Sequence, residues 1–268
     1  MIVLRRIATD LREIRWGHVL VELLLVIAGI LIALWIDGRM EDRRDARAER
    51  QYLELLARDL DNDAAVLAEV REFQDRQAAD AAEAYRALAT PVAPVDREAL
   101  AVKLERLATR RTLRFNPTTY MDLTGTGNIR LVRNRALRDR VAKYYENTER
   151  TAAIIQRNNQ FFVDESYALY LTSNGLIAPR TGDNILSVEK SAKLFAARVG
   201  LAVTPANDRL WTLPADAPEW TILRNKVWQR GSVAEMASMQ MADLAEELQG
   251  VRSAVAAELG RRGAAQGG

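Results

Sequence analysis

The chain contains no cysteine and only one histidine, His18, in 268 residues. Those two shortages remove whole classes of chemistry. Disulfides are excluded, and the sequence carries no mark of an oxidising or reducing compartment. The soluble part has no histidine for a Ser-His-Asp or Cys-His relay, and an ordinary His/Cys zinc site cannot be assembled. Strands alternating at period two are hard to find. Glycine and proline are both absent from Arg39 to Ala89, where apolar residues recur at three- and four-residue steps. The chain therefore reads as all-α.

Aromatic residues make up only 6% of the chain, so the placing of two tryptophans is informative. Trp16 and Trp35 bracket an aliphatic run from Gly17 to Ile36 that holds six Leu, four Ile and three Val. At about 1.5 Å per residue the two indoles lie roughly 28 Å apart, close to the ~30 Å of a bilayer's hydrocarbon core. Tryptophan prefers both interfaces, so Trp16 and Trp35 are expected as interface anchors. Glu22 opposes insertion by up to roughly 3 kcal/mol, against about −4 to −8 kcal/mol from the aliphatics. Insertion wins, and the lipid bilayer is the first expected partner.

The residues after the run, Asp37-Gly38-Arg39, do not resemble a signal-peptidase site, and a charged helix pattern continues directly. With no second such run, the chain reads as a single-pass anchor. Arg5, Arg6, Arg12 and Arg15 before the span nearly balance Arg39, Arg43, Arg44, Arg47 and Arg50 after it. Orientation then follows the short arm: N-terminus in the cytoplasm, large C-terminal domain extracytoplasmic. The expected division is an arm over 1–15, an anchor over 16–36, a helical bundle over 37–259 and a disordered tail over 260–268.

Within the bundle the first helix carries Leu53, Leu56, Leu60, Ala64, Leu67, Val70, Phe73, Gln77, Ala81, Ala84 and Leu88 on one stripe. Thr90-Pro91-Val-Ala-Pro94 ends it. Asp96 is expected to cap a helix to about Ala108, and Thr118 or Thr119 a short one ending at Gly125-Thr-Gly127. A second long helix is expected over Asn134–Leu171, with Leu137, Val141, Tyr144, Thr148, Ala152, Ile155, Asn159, Phe162, Ser166 and Leu169 facing inward. A further helix is expected near Ser187–Val199, then an irregular segment to Pro218. The last helix carries Leu223, Val227, Met236, Leu244, Leu248, Val251, Val255 and Leu259, with Gly231 a candidate kink. Together these predict an elongated antiparallel helical bundle.

Two stretches carry a resemblance. Val-Glu22-Leu-Leu-Leu-Val-Ile-Ala-Gly29-Ile-Leu-Ile-Ala33 leads into Glu49-Arg-Gln-Tyr-Leu-Glu-Leu-Leu, and Tyr120-Met-Asp-Leu-Thr-Gly-Thr-Gly127-Asn-Ile-Arg-Leu-Val132 into Leu137-Arg138 and Tyr144-Tyr145. Over residues 17–173 the chain resembles a family of bacterial single-pass membrane proteins designated domain of unknown function 6090. The resemblance implies an architecture and a bacterial inner membrane, but no activity.

Three features could carry function. Glu22, Val26, Gly29 and Ala33 share one face of the span, and Gly29-x-x-x-Ala33 lets backbones approach closely. That face is expected to meet a second copy or another membrane protein. Carboxylates such as Asp59, Asp61 and Asp63 read as a solvated helix face, and neither metal, cofactor nor catalytic group is expected. Charge is divided: residues 37–98 hold 10 basic and 16 acidic groups, while 99–143 hold 11 basic and three acidic. The sharp reading is an anion site, with Gly125 and Gly127 supplying amides beside Arg130, Arg133 and Arg138. The plainer, preferred reading pairs those arginines with the acidic stalk. On a straight stalk the basic segment would start far from the membrane. Nucleic acid is not expected. The function class is a non-enzymatic membrane-anchored interaction or scaffold protein, with a ligand-sensing extracytoplasmic bundle as alternative.

Overall fold

The computed structural model describes residues 16–89, 97–176, 197–198, 200 and 212–266. The expected N-terminal arm, the Pro91–Pro94 break with the Asp96 cap, and the helix near Ser187–Val199 lie outside these residues. Among those described, no strand forms. Helix α1 spans Trp16–Ala89, α2 Arg97–Arg106, α3 Thr118–Gly125, α4 Arg135–Asn158, α5 Leu169–Ser173 and α6 Pro218–Gln266. A 3-10 turn covers Asn128–Leu131, and a π-helical stretch, Asn159–Ala168, joins α4 to α5 without a break.

The chain runs up, down, up and down. α1 rises as one helix through Gly38, so the spacing that predicted a continuous stalk holds. The second limb descends beside it in pieces: Lys103 of α2 meets Glu83 at 2.7 Å, Arg111 meets Glu69 at 3.2 Å, and Arg133 meets Asp42 at 3.3 Å. The third limb climbs through α4, the π-helical stretch and α5. α6 then descends the whole bundle, with Ser238 against Asp75 at 2.5 Å and Arg262 against Glu49 at 3.0 Å.

A lower core forms around Leu53, Leu56, Leu60, Tyr144, Met241, Leu248 and Val255, and an upper one around Ala84, Leu104, Tyr167, Leu223 and Val227. On α1 the stripe is buried from Leu53 to Ala84 apart from half-buried Ala64, as its spacing requires. α4 follows its stripe only as far as Asn159. Beyond it Val163, Tyr167 and Leu171 are buried, whereas Phe162 and Ser166 are half-exposed and Leu169 is exposed. The π-helix explains the slip: i→i+5 bonding widens each turn, so four-residue steps stay on one face.

α6 also departs from its predicted face. Met236 is exposed, whereas Ala234 and Ala237 are buried, and Gly231 and Ser238 lie against Ala81 and Asp75 of α1. Gly231 does not end the helix. A Cβ there would sit 2.9 Å from the Cβ of Ala81, so glycine permits a close approach of two helices. The tail is a second correction: α6 continues to Gln266, because Arg261 and Arg262 find carboxylates at the base.

The α3 cap differs as well. Neither Thr118 nor Thr119 caps it. Asp59 on α1 accepts the Thr119 amide proton at 2.8 Å, so one helix caps another.

Candidate functional site

From Leu20 to Arg44 every residue of α1 is exposed, including the whole aliphatic run. An 18-residue window of this helix reaches a mean hydropathy of 2.5 with none of it buried, so it is long and apolar enough to cross a membrane. Trp35 is exposed, with the Arg39 guanidinium 4.5 Å from its ring centre. Trp16 begins the helix. Glu22, Val26, Gly29 and Ala33 are all exposed, and a Cβ at Gly29 would meet nothing within 4 Å.

The direction of that face follows from helix phase. Asp42 and Glu49, seven residues apart, face the bundle, since both meet Arg133. Ala33 precedes Asp42 by nine residues, about two and a half turns, and so points the opposite way. Glu22 and Gly29 fall on the same outer side. Among the described residues none covers that stretch, since every residue from Leu20 to Arg44 is exposed.

The base of the bundle is a polar clasp that sequence reasoning missed. Glu49 is fully buried, and its Oε1 accepts from the Arg133 amide at 2.7 Å and from Arg262 at 3.0 Å. Glu258, 4% exposed, accepts from Asn134 Nδ2 at 2.9 Å and pairs with Arg261 and Arg262. The Arg261 guanidinium holds the Glu258 carboxyl below its ordinary range. Asn134 also caps α4 through the Leu137 amide. One signal was legible: a Glu amid a leucine stripe on α1 and an Arg-Arg pair ending α6. Their pairing was not.

The predicted anion cradle does not form. Gly125 closes α3, and Gly127 takes a left-handed φ of 74°. Its amide donates to Thr124 O at 3.3 Å, and the Thr126 amide to Asp122 O at 3.0 Å, so the turn consumes its own donors. Arg138 donates to Val132 O at 2.6 Å, Arg133 pairs with the stalk, and Arg130 is exposed on the 3-10 turn. Arg133 and Arg138 are thus engaged by other partners than the glycine turn. Stalk pairing, the preferred alternative, describes Lys103, Arg106, Arg111 and Arg133.

Asp63 and Arg230 also lie in the interior. Asp63 is 2% exposed and accepts from the Tyr144 hydroxyl at 3.2 Å; burial pushes its carboxyl up to about 6 against that hydrogen bond. Arg230, 1% exposed, donates to Leu107 O at 3.0 Å, Gln77 Oε1 at 2.9 Å and Thr109 O at 3.4 Å. Burial lowers it to about 10. It holds the chain that leaves α2 against α1 and α6.

A cleft of about 530 Å³ lies beside the descending limb, lined by Arg110, Arg111, Arg114 and Gln156 among others. Asp164 pairs with Arg110 at 2.7 Å and Glu69 with Arg111 at 3.2 Å, which neutralises two of its three cations. Among the described residues, no group of three or more His, Asp or Glu is placed to hold a metal ion. No protein-family model, curated protein or solved structure matches the chain.

Proposed function

We propose that the protein is a non-enzymatic, single-pass membrane scaffold whose span binds a second copy or another membrane protein. One observation carries the reading. The exposed apolar helix runs unbroken into the bundle, with Glu22, Gly29 and Ala33 on the side facing away from it. Small residues let a partner backbone come close, and an intramembrane carboxylate finds its best hydrogen-bond partner across such an interface. The continuous helix makes the bundle a lever rigidly attached to that contact.

The location proposed is a bacterial inner membrane with the N-terminus inside and the C-terminal domain extracytoplasmic. Membership of the domain of unknown function 6090 family is proposed on the Glu22–Ala33 and Tyr120–Tyr145 stretches. A topology reporter fused after Gly268 tests the orientation; activity confined to the cytoplasm overturns it. The absence of cysteine makes the contact itself testable. Single Ala33→Cys and Leu31→Cys chains are oxidised in native membranes, and cross-links to self or partner are expected only at position 33. Equal cross-linking at both positions sinks the contact. The alternative, a ligand-sensing bundle, rests on the arginine-lined cleft, and a soluble anion that raises the bundle's melting temperature would favour it.

A further inference from the structure

The fold brings the basic segment down to the base of the bundle, where the Arg133 amide meets Glu49, about 20 Å beyond Ile36 along α1. Arg133 reaches Asp42, six residues beyond Ile36 and so about 9 Å above the end of the apolar run. Around this base Arg43, Arg44 and Arg47 of α1 and Arg130 of the 3-10 turn are exposed, and none pairs with an acidic group among the described residues. The nearest carboxylates are engaged or turned away. Asp42, Glu49 and Glu258 are held by Arg133, Arg261 and Arg262. Asp37, Glu41 and Asp45 repeat every four residues on one flank of α1, and Arg39, Arg43 and Arg47 do the same two residues later. Two residues are about 200° of helix, so the stripes lie on opposite flanks.

Distance favours a membrane ligand for the basic flank. Arg39 and Arg43 stand three and seven residues beyond Ile36, about 5 and 10 Å along the axis. Headgroups extend roughly 5–7 Å beyond the hydrocarbon on each side, and the Debye length is about 8–10 Å in physiological salt. The side chain reaching down from Arg43 therefore meets phosphate. We propose that the basic flank Arg39–Arg43–Arg47 binds the phosphate headgroups of anionic lipids and tilts the bundle toward the bilayer. This rests on the membrane reading above.

The test uses full chains in nanodiscs of phosphatidylcholine with or without phosphatidylglycerol. A dye on Ile30→Cys reports insertion, and one on exposed Ala257→Cys of α6, the helix that meets Asp61 and Asp75 on the same flank of α1 as Arg43 and Arg39, reports the base's approach through energy transfer to headgroup acceptors. Transfer from position 257 is expected to rise with phosphatidylglycerol and to fall at high salt. Arg43→Gln and Arg47→Gln break no described pairing; Arg43→Gln, nearer the bilayer, should weaken the headgroup association roughly fivefold and Arg47→Gln less. Equal transfer in both bilayers, with the Ile30 dye in hydrocarbon, overturns this proposal alone. An Ile30 dye left in water overturns the membrane reading and this proposal with it. If millimolar inorganic phosphate reproduces the rise in neutral bilayers, the flank is a soluble-anion site and the lipid assignment falls.

Discussion

At the residue scale the interior polar groups are the most consequential. Arg230 has only amide and carbonyl oxygens for partners, and its loss leaves Leu107 O, Thr109 O and the Gln77 amide buried together. Each orphaned group costs about 1–3 kcal/mol. Arg230→Ala is therefore expected to lose roughly 3–5 kcal/mol, read as a drop in thermal or denaturant midpoint. Asp63 acts in the opposite sense. Its folded carboxyl titrates at about 6 against 3.8 for the free group, so the native state binds the proton more tightly. That contribution is full below about pH 4 and lost as pH rises through 6. Asp63→Asn keeps an acceptor for Tyr144 and should raise stability at pH 7.5 by about 2 kcal/mol, with little change at pH 4. Comparing wild type and variant across that range isolates this group from Glu258, whose lowered carboxyl works the other way. An equal gain at both pH values would refute the assignment. Neither role was legible in sequence: Arg230 and Asp63 look like any charged helix residue, and only packing from three sides makes them interior.

At the element scale the helices were largely legible and their faces partly so. The Leu53–Ala84 stripe was readable because an α-helix under strict three-four spacing has one buried side. The same rule failed past Asn159, where a π-helical turn changes the period without any glycine or proline to announce it. Gly231 was read as a weak point, yet it is a contact point. Gly231→Val is expected to push α6 from Ala81 and cost at least 1–3 kcal/mol of overpacking, whereas Gly250, with nothing within 4 Å of its Cβ, should accept alanine with a slight gain. Paired melting curves of the two variants check this. A Gly231→Val chain that melts like wild type would show that α1 and α6 do not pack this closely.

At the scale of the whole molecule the clasp at the base joins three limbs: Glu49 on α1, Arg133 and Asn134 before α4, and Glu258 with Arg262 on α6. Truncation after Leu259 would be silent if the tail were disordered. Removing Arg262 instead leaves Glu49 buried with one amide donor, and the expected loss is about 2–4 kcal/mol, with faster proteolysis of the last helix. The sequence by itself determined the all-α class, the apolar run between Trp16 and Trp35, the unbroken stalk and most of the first stripe, because helical periodicity and hydrophobic length are local properties of the chain. Tertiary structure alone decided that the basic segment descends to the base, that Glu49 and Glu258 share an arginine, and which side of the span faces outward. Those are pairings between residues as far apart as Glu49 and Arg262, and no local pattern records which charges will meet once four limbs pack together.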